Sequence, residues 1–188
     1  DDAAVARALE LVSAAALPTV DLHAVAQHGV DFAARRGDAA GQEHWLRRAL
    51  SLDRNDSASQ EDLESLLDVQ GRLDELVDML HTRLQAELAQ SPLPSDARRL
   101  SLHRLATLAA ALNRAPVALW AWRAVSAMDP GEPDGPTGEV ELLRELDDMP
   151  GLVQALQRLA AVTTDLGQRA EHWTEAARLT AKILKKEE

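Results

Sequence analysis

The sequence predicts an all-α protein built as an array of antiparallel helix pairs, and three observations carry that expectation. Ala and Leu supply 34 and 31 of the 188 residues, and both are strong helix formers. Val, Ile and Thr together supply 21, too few for an extensive sheet. Turn signals recur at a steady interval: Arg36-Gly37-Asp38, then Gln70-Gly71-Arg72 34 residues on, then Leu112-Asn113-Arg114 a further 42. Each turn has a helix-compatible segment on either side, and self-similarity at such a period marks a repeat architecture. The excess of eight in the second interval matches an insertion around Ser91-Pro92-Leu93-Pro94.

Taken in order, the first helix is expected over about residues 3–16, with Pro18 ending it. The second spans 21–36 and the third 39–52, the latter capped by Asp38; the fourth and fifth span 58–70 and 73–90 around Gly71. Ser95 caps a sixth helix over 96–112, and a seventh runs over 116–128. Asp129 to Gly138 holds three Pro and three Gly in ten residues, so a loop is expected at 129–138, either a hinge between two sub-arrays or a lengthened surface connection. Helices over 139–148, 151–163 and 167–185 follow, with Asp165 as a near-cap. The chain thus divides into repeats over 1–128 and a further helix pair with a terminal helix over 139–188. A longer echo extends the array: Leu76, Val77 and Leu80 recur as Leu152, Val153 and Leu156, and Leu102, Ala106 and Leu108 recur as Trp173, Ala177 and Leu179, which makes Trp173 a packing residue. Both termini are expected to cut through a repeat, as in a fragment of a larger array.

These copies resemble the tetratricopeptide repeat family, whose helix pairs span about 34 residues. In the copy from Arg99 to Glu132, Leu102, Leu105, Ala106, Ala118, Trp122 and Val125 match the family's large and small packing positions, and Asp129-Pro130 its closing proline. The copy from His23 to Asp56 keeps Gly37-Asp38, Leu46, Ala49 and Asp53 but has Gln42 and Arg54 where Ala and Pro are usual. The copy from Ser57 to Gln90 keeps Leu63, Leu67, Gly71 and Leu80 but has Leu76 and Arg83 at two usually small positions. The resemblance implies an alpha-alpha superhelix, a TPR-like solenoid in which each pair buries its face on the next. It also implies a concave groove lined by the first helix of each pair, binding a peptide, helix or loop of another protein.

Mapped on that groove are Gln27, Asp31 and Arg35, then Glu61, Ser65 and Asp68, then His103, Arg104 and Thr107. Some members of the family clamp a partner's terminal carboxylate with Lys, Arg and Asn at these positions. Here Glu61, Asp62 and Asp68 would repel one, so a basic or mixed-charge protein or peptide is the expected partner. Trp120 and Trp122 lie two apart and cannot share a helix face. The register buries Trp122 and leaves Trp120 as an outer contact or as a residue covered by a neighbouring helix. Trp45 beside Leu46 poses the same choice. A regulatory or docking solenoid of a larger enzyme or receptor, and a peptide or small-ligand sensor, stand as alternative functions.

A net charge of −11 argues against general nucleic-acid binding, which draws its affinity from basic groups. No stretch is long and apolar enough to span a membrane, and the start lacks the basic-then-apolar pattern of a signal peptide, so a cytoplasmic location is expected. The absence of Cys removes disulfides and thiolate metal sites. No two of His23, His28, His44, His81, His103 and His172 are spaced as ligands on one helical face, and no nucleophile elbow or phosphate-cradling loop occurs. No catalytic residue, metal or cofactor is therefore expected. Lys182, Lys185 and Lys186 complement the dipole of the last helix. Arg outnumbers Lys 17 to 3, which with the Ala and Leu content fits a GC-rich bacterial genome.

Overall fold

The structure, a computed structural model, describes residues 2–14, 18–91 and 95–185. Those residues form ten helices and no strand: α1 (Asp2–Ser13), α2 (Thr19–Arg35), α3 (Ala39–Leu52), α4 (Ser57–Val69), α5 (Leu73–Gln90), α6 (Asp96–Ala111), α7 (Ala115–Met128), α8 (Asp134–Glu145), α9 (Met149–Val162) and α10 (Leu166–Leu184). The all-α expectation and the order of elements hold. Pro92, Leu93 and Pro94 of the expected insertion lie outside the described residues.

What sets the repeat is one turn used four times. Gly37, Gly71, Asn113 and Asp147 have φ of 66°, 69°, 58° and 52° and are the described residues in the left-handed region. They follow one another at intervals of 34, 42 and 34 residues. Around each the backbone closes the preceding helix in the same way: the N–H of Asp38, Arg72, Arg114 and Asp148 reaches back five residues to the carbonyl of Ala33, Leu67, Ala109 and Leu143. That is the Schellman ending, in which a left-handed residue lets the chain cap its own last carbonyls. Two turns, at Gly37 and Gly71, use glycine, which has no Cβ to oppose the conformation. The fourth turn, at Asp147, continues the period that the sequence marked only three times.

Caps start several of the helices. Asp38, Asp56, Ser95, Asp148 and Asp165 accept the N–H of Gly41, Ser59, Arg98, Gly151 and Gln168, satisfying donors that have no partner inside the helix. The stretch expected as a loop is shorter than ten residues, because α8 begins at Asp134. Pro136 is the third residue of α8, in the first turn, where a missing N–H costs no helical bond. Gly135 and Gly138 lie against α7 where a side chain would clash: a methyl at Gly138 would come 2.7 Å from Cζ2 of Trp122.

The chain divides into two compact units, Asp1–Leu76 and Val77–Glu188, a division inside α5 rather than in the Pro/Gly-rich stretch. In the first unit α2 and α3 pack antiparallel, since Gly29 faces Trp45 while Ala33 faces Gly41. First helices neighbour first helices: His23 of α2 bonds Asp56 at the head of α4. Second helices do likewise. Glu10 of α1 pairs with His44 of α3, Arg48 reaches the Ser13 carbonyl, and Arg47 of α3 pairs with Glu75 at the start of α5. The second unit repeats the scheme, with Arg99–Asp134 and Arg144–Glu175 linking α6, α8 and α10, and Asp78–Arg114 linking α5 to α7.

Between the two rows of each unit lies the apolar core. At equivalent register positions Leu46, Leu80, Trp122 and Leu156 are all buried. Val140, Leu143, Leu152, Ala155, Leu156, Leu159 and Ala176 form one cluster at the α8–α10 end of the second unit. Trp45 is buried together with Leu46, because Gly29 leaves room for its ring. Trp173, expected to pack, is instead 47% exposed: its neighbour Ala176 takes the buried face of α10. Glu139 is fully buried where equivalent positions carry Leu63 and Leu105, and its Oε2 accepts from Arg158 at 2.6 Å with Arg123 at 3.4 Å.

Candidate functional site

A repeat of this kind presents whatever lies on its first helices opposite the core. In α4 the buried residues are Ser59, Leu63, Glu64 and Leu67, so the 3.6-residue period turns Glu61, Asp62, Ser65 and Asp68 outward, and all four are exposed. In α2 the buried set is Ala26, Gly29, Val30 and Ala33, and Gln27, Asp31 and Arg35 are exposed, the first two at positions equivalent to Glu61 and Ser65 of α4. In α6 the exposed residues His103, Arg104 and Thr107 follow the same rule. All nine of these first-helix residues are exposed. Within the first unit the outward face of α4 holds three carboxylates and no Lys or Arg.

Their surroundings differ in ways the register did not reveal. The His103 ring stands edge-on to Trp122, with centroids 4.6 Å apart at 86°, so that side chain packs as well as presents itself. Thr107 Oγ1 donates to the His103 carbonyl at 2.9 Å, which turns its hydroxyl back onto the helix. Trp120 is half-buried on α7, among the second helices, and meets the edge of His81 on α5 at 4.7 Å. Burial, reinforced by the nearby Arg114 and opposed by Asp78, pushes the His81 imidazole below its ordinary pKa.

The head of α4 is an electrostatic knot. Asp56 Oδ1 accepts the Ser59 N–H at 3.2 Å, while its Oδ2 accepts from Ser59 Oγ at 2.6 Å and from His23 Nε2 at 3.0 Å. Burial works against ionisation of Asp56, but these donors outweigh it and hold the carboxyl below its ordinary value. Glu43 is held low as well, chiefly by a hydrogen bond from Arg72, with burial opposing and Arg47 assisting. A carboxyl with a depressed folded pKa contributes stability that is complete above its unfolded value and is withdrawn as pH falls through the folded one. The melting temperature should therefore drop as pH is lowered below about 4. Asp56→Asn, which still caps α4, should make that acid limb shallower in a series of thermal melts; an unchanged limb would remove Asp56 from the account.

A hollow of about 450 Å³ in the second unit is lined by Ser95, Asp96, Arg99, Met128, Asp129 and Glu132. Small-molecule pockets are mostly apolar with a few polar anchors, and this lining has the opposite balance. Among the described residues no group of three or more His, Asp or Glu side chains is placed to hold a metal ion. No described helix is long and apolar enough to cross a membrane.

No protein-family model matches the chain, and no curated protein matches it. Solved structures similar to it include a tetratricopeptide repeat protein from Parabacteroides merdae, 14% identical with a TM-score of 0.47, covering 85% of this chain and 60% of that one. MamA residues 41 to the end, from Desulfovibrio magneticus RS-1, is also 14% identical with a TM-score of 0.44, covering 88% of this chain and 94% of that one. These likenesses bring neither a partner nor an activity to this chain.

Proposed function

We propose that the chain is a non-catalytic interaction scaffold whose first-helix faces hold a protein or peptide partner of basic or mixed charge. The observation that carries this reading is the outward face of α4, where Glu61 and Asp62 stand exposed together with Ser65 and Asp68, beside an α2 face presenting Gln27, Asp31 and Arg35. Carboxylates arrayed on rigid helices favour a cationic ligand by attraction and turn away an anionic one, and they speed encounter more than they deepen affinity. In the second unit His103, Arg104 and Thr107 offer a mixed polar surface, and Trp120 an aromatic one on the second helices.

The test is a fluorescence-polarisation titration of the chain with basic, neutral and acidic extended peptides of equal length. Basic peptides should bind most tightly, and less so as salt is raised. Replacing Glu61 and Asp62 together by Lys should weaken that binding by about tenfold or more, with stability altered by no more than about 0.5 kcal/mol, as is usual for exposed positions. Equal affinity for acidic peptides, or binding indifferent to the double substitution, would remove the assignment.

A further inference from the structure

Glu139 breaks the repeat. Equivalent positions hold the buried Leu63 and Leu105, and Glu139 is itself fully buried in α8. A leucine there would pack without desolvating a charge, and apolar replacement of a buried ion pair is often neutral or stabilising. Stability alone therefore does not account for the carboxylate, and its partners show what it arranges. Nη2 of Arg158, on α9, donates to its Oε2 at 2.6 Å, and Nε of Arg123, on α7, lies 3.4 Å from the same oxygen. Both arginines depart from the repeat as well. The turns at Asn113 and Asp147 set α7 and α9 34 residues apart, so Arg123 corresponds to Gln157 and Arg158 to Ala124.

The two guanidiniums are anchored on their inner side and open on the outer one. The Glu139 side chain is 1% exposed, against 58% for Arg123 and 43% for Arg158. Among the described residues Glu139 is the one acceptor of either arginine, and its Oε1 has no donor. It therefore takes a single N–H from each. A guanidinium carries five N–H groups in a planar fork that suits a carboxylate two at a time, so most of each fork faces solvent without an acceptor.

Nothing on the two helices cancels their charge. Of the ten described helices, α7 and α9 are the two without an Asp or Glu, in a chain whose net charge is −11. Two cations over one carboxylate leave one positive charge uncompensated. That balance matches a single further carboxylate, whereas a phosphate dianion would exceed it and meet the Glu139 charge beneath. Gln154, exposed one turn before Arg158, adds a neutral amide donor. We infer that Arg123 and Arg158 form a second docking site, taking an Asp or Glu side chain from an acidic segment of a protein partner. Glu139 is the positioning residue that holds both forks ready, which lowers the ordering cost of binding. The site is separate from the α4 face and opposite to it in sign.

A fluorescence-polarisation titration with an end-blocked peptide of Gly, Ser and Glu, free of Lys and Arg, tests this. The peptide should bind, more weakly than basic peptides because the rest of the chain repels it, and its counterpart with Gln in place of Glu should not. Arg123→Gln leaves Arg158 on Glu139 and so keeps the fold. It should weaken the acidic peptide by about tenfold and leave basic-peptide affinity unchanged, so that failure here and failure of the α4 assignment are told apart. Removing Arg158 alone would strand a buried carboxylate. The triple variant Glu139→Leu, Arg123→Gln and Arg158→Gln instead adopts the leucine of the equivalent positions, and should keep its helical circular dichroism while losing the acidic peptide. Absence of acidic-peptide binding in the parent, or binding that both variants retain, would overturn the inference. So would tighter, Arg123-dependent binding of a phosphoserine peptide, which makes phosphate the ligand. Self-association abolished by Arg123→Gln would overturn it too, since the occupant would then be a second copy of the chain.

Discussion

Replacing Trp122 with alanine is expected to cost about 3–5 kcal/mol of stability, the range for removing a buried large aromatic side chain. The reasons are local and specific. Trp122 is 8% exposed and occupies a register position filled elsewhere by Leu46, Leu80 and Leu156. Its ring lies over Gly138 of α8, with the His103 edge 4.6 Å from its centre. Nothing on a backbone glycine can move into the space, so the cavity should persist and the loss should fall well above the transfer term alone. A urea titration that returns less than about 1 kcal/mol would put Trp122 outside the core and the α6–α8 packing in error.

Gly29→Ala is expected to reverse the sign that helix propensity predicts. In an exposed helix interior, alanine in place of glycine gains about 1 kcal/mol. At Gly29 the added methyl would lie 2.6 Å from Cγ and from Cε2 of Trp45, inside the ring's van der Waals envelope. Because the ring is rigid and 6% exposed, one of the two helices must shift. Overpacking of that kind costs about 1–3 kcal/mol, and a contact with ring atoms belongs at the upper end. The cost should largely vanish when Trp45→Leu is made as well, a coupling that a double-mutant cycle measures directly. A stabilised single variant would mean that α2 and α3 do not approach as closely as the structure has them.

Comparison of particular residues explains which parts of this fold could be read from the chain. Gly37, Gly71 and Asn113 announced three turns because the left-handed conformation selects glycine and asparagine. Asp147 hid the fourth, since aspartate occurs on helix surfaces as readily as in turns. The start of α8 at Asp134 was masked by Pro136, which disrupts a helix interior yet suits a first turn. Burial of Trp45 depended on a glycine sixteen residues away in sequence, and the exposure of Trp173 on which face of α10 meets the cluster; both are non-local facts. The exposure of Gln27 and Glu61 could be read because the buried sets of α2 and α4 follow the 3.6-residue period of their own helices. The edge contact that engages His103 was not, because it needs a partner on another helix. Glu139 shows the same limit: one charged residue in an apolar register is explained only once Arg123 and Arg158 converge on it.

The central claim is that four left-handed turns at fixed intervals fold this chain as successive helix pairs. Urea unfolding of four single variants tests it most directly. Gly37 and Gly71 have no atom within 4 Å of where a Cβ would sit, so alanine there meets only the backbone penalty. Gly37→Ala and Gly71→Ala should each lose about 1–2 kcal/mol. Asn113→Gly and Asp147→Gly, which place glycine where the backbone already has positive φ, should equal or exceed the parent in stability. Alanine tolerated without loss at Gly37 and Gly71, or glycine at 113 and 147 destabilising by more than about 1 kcal/mol, would contradict the account.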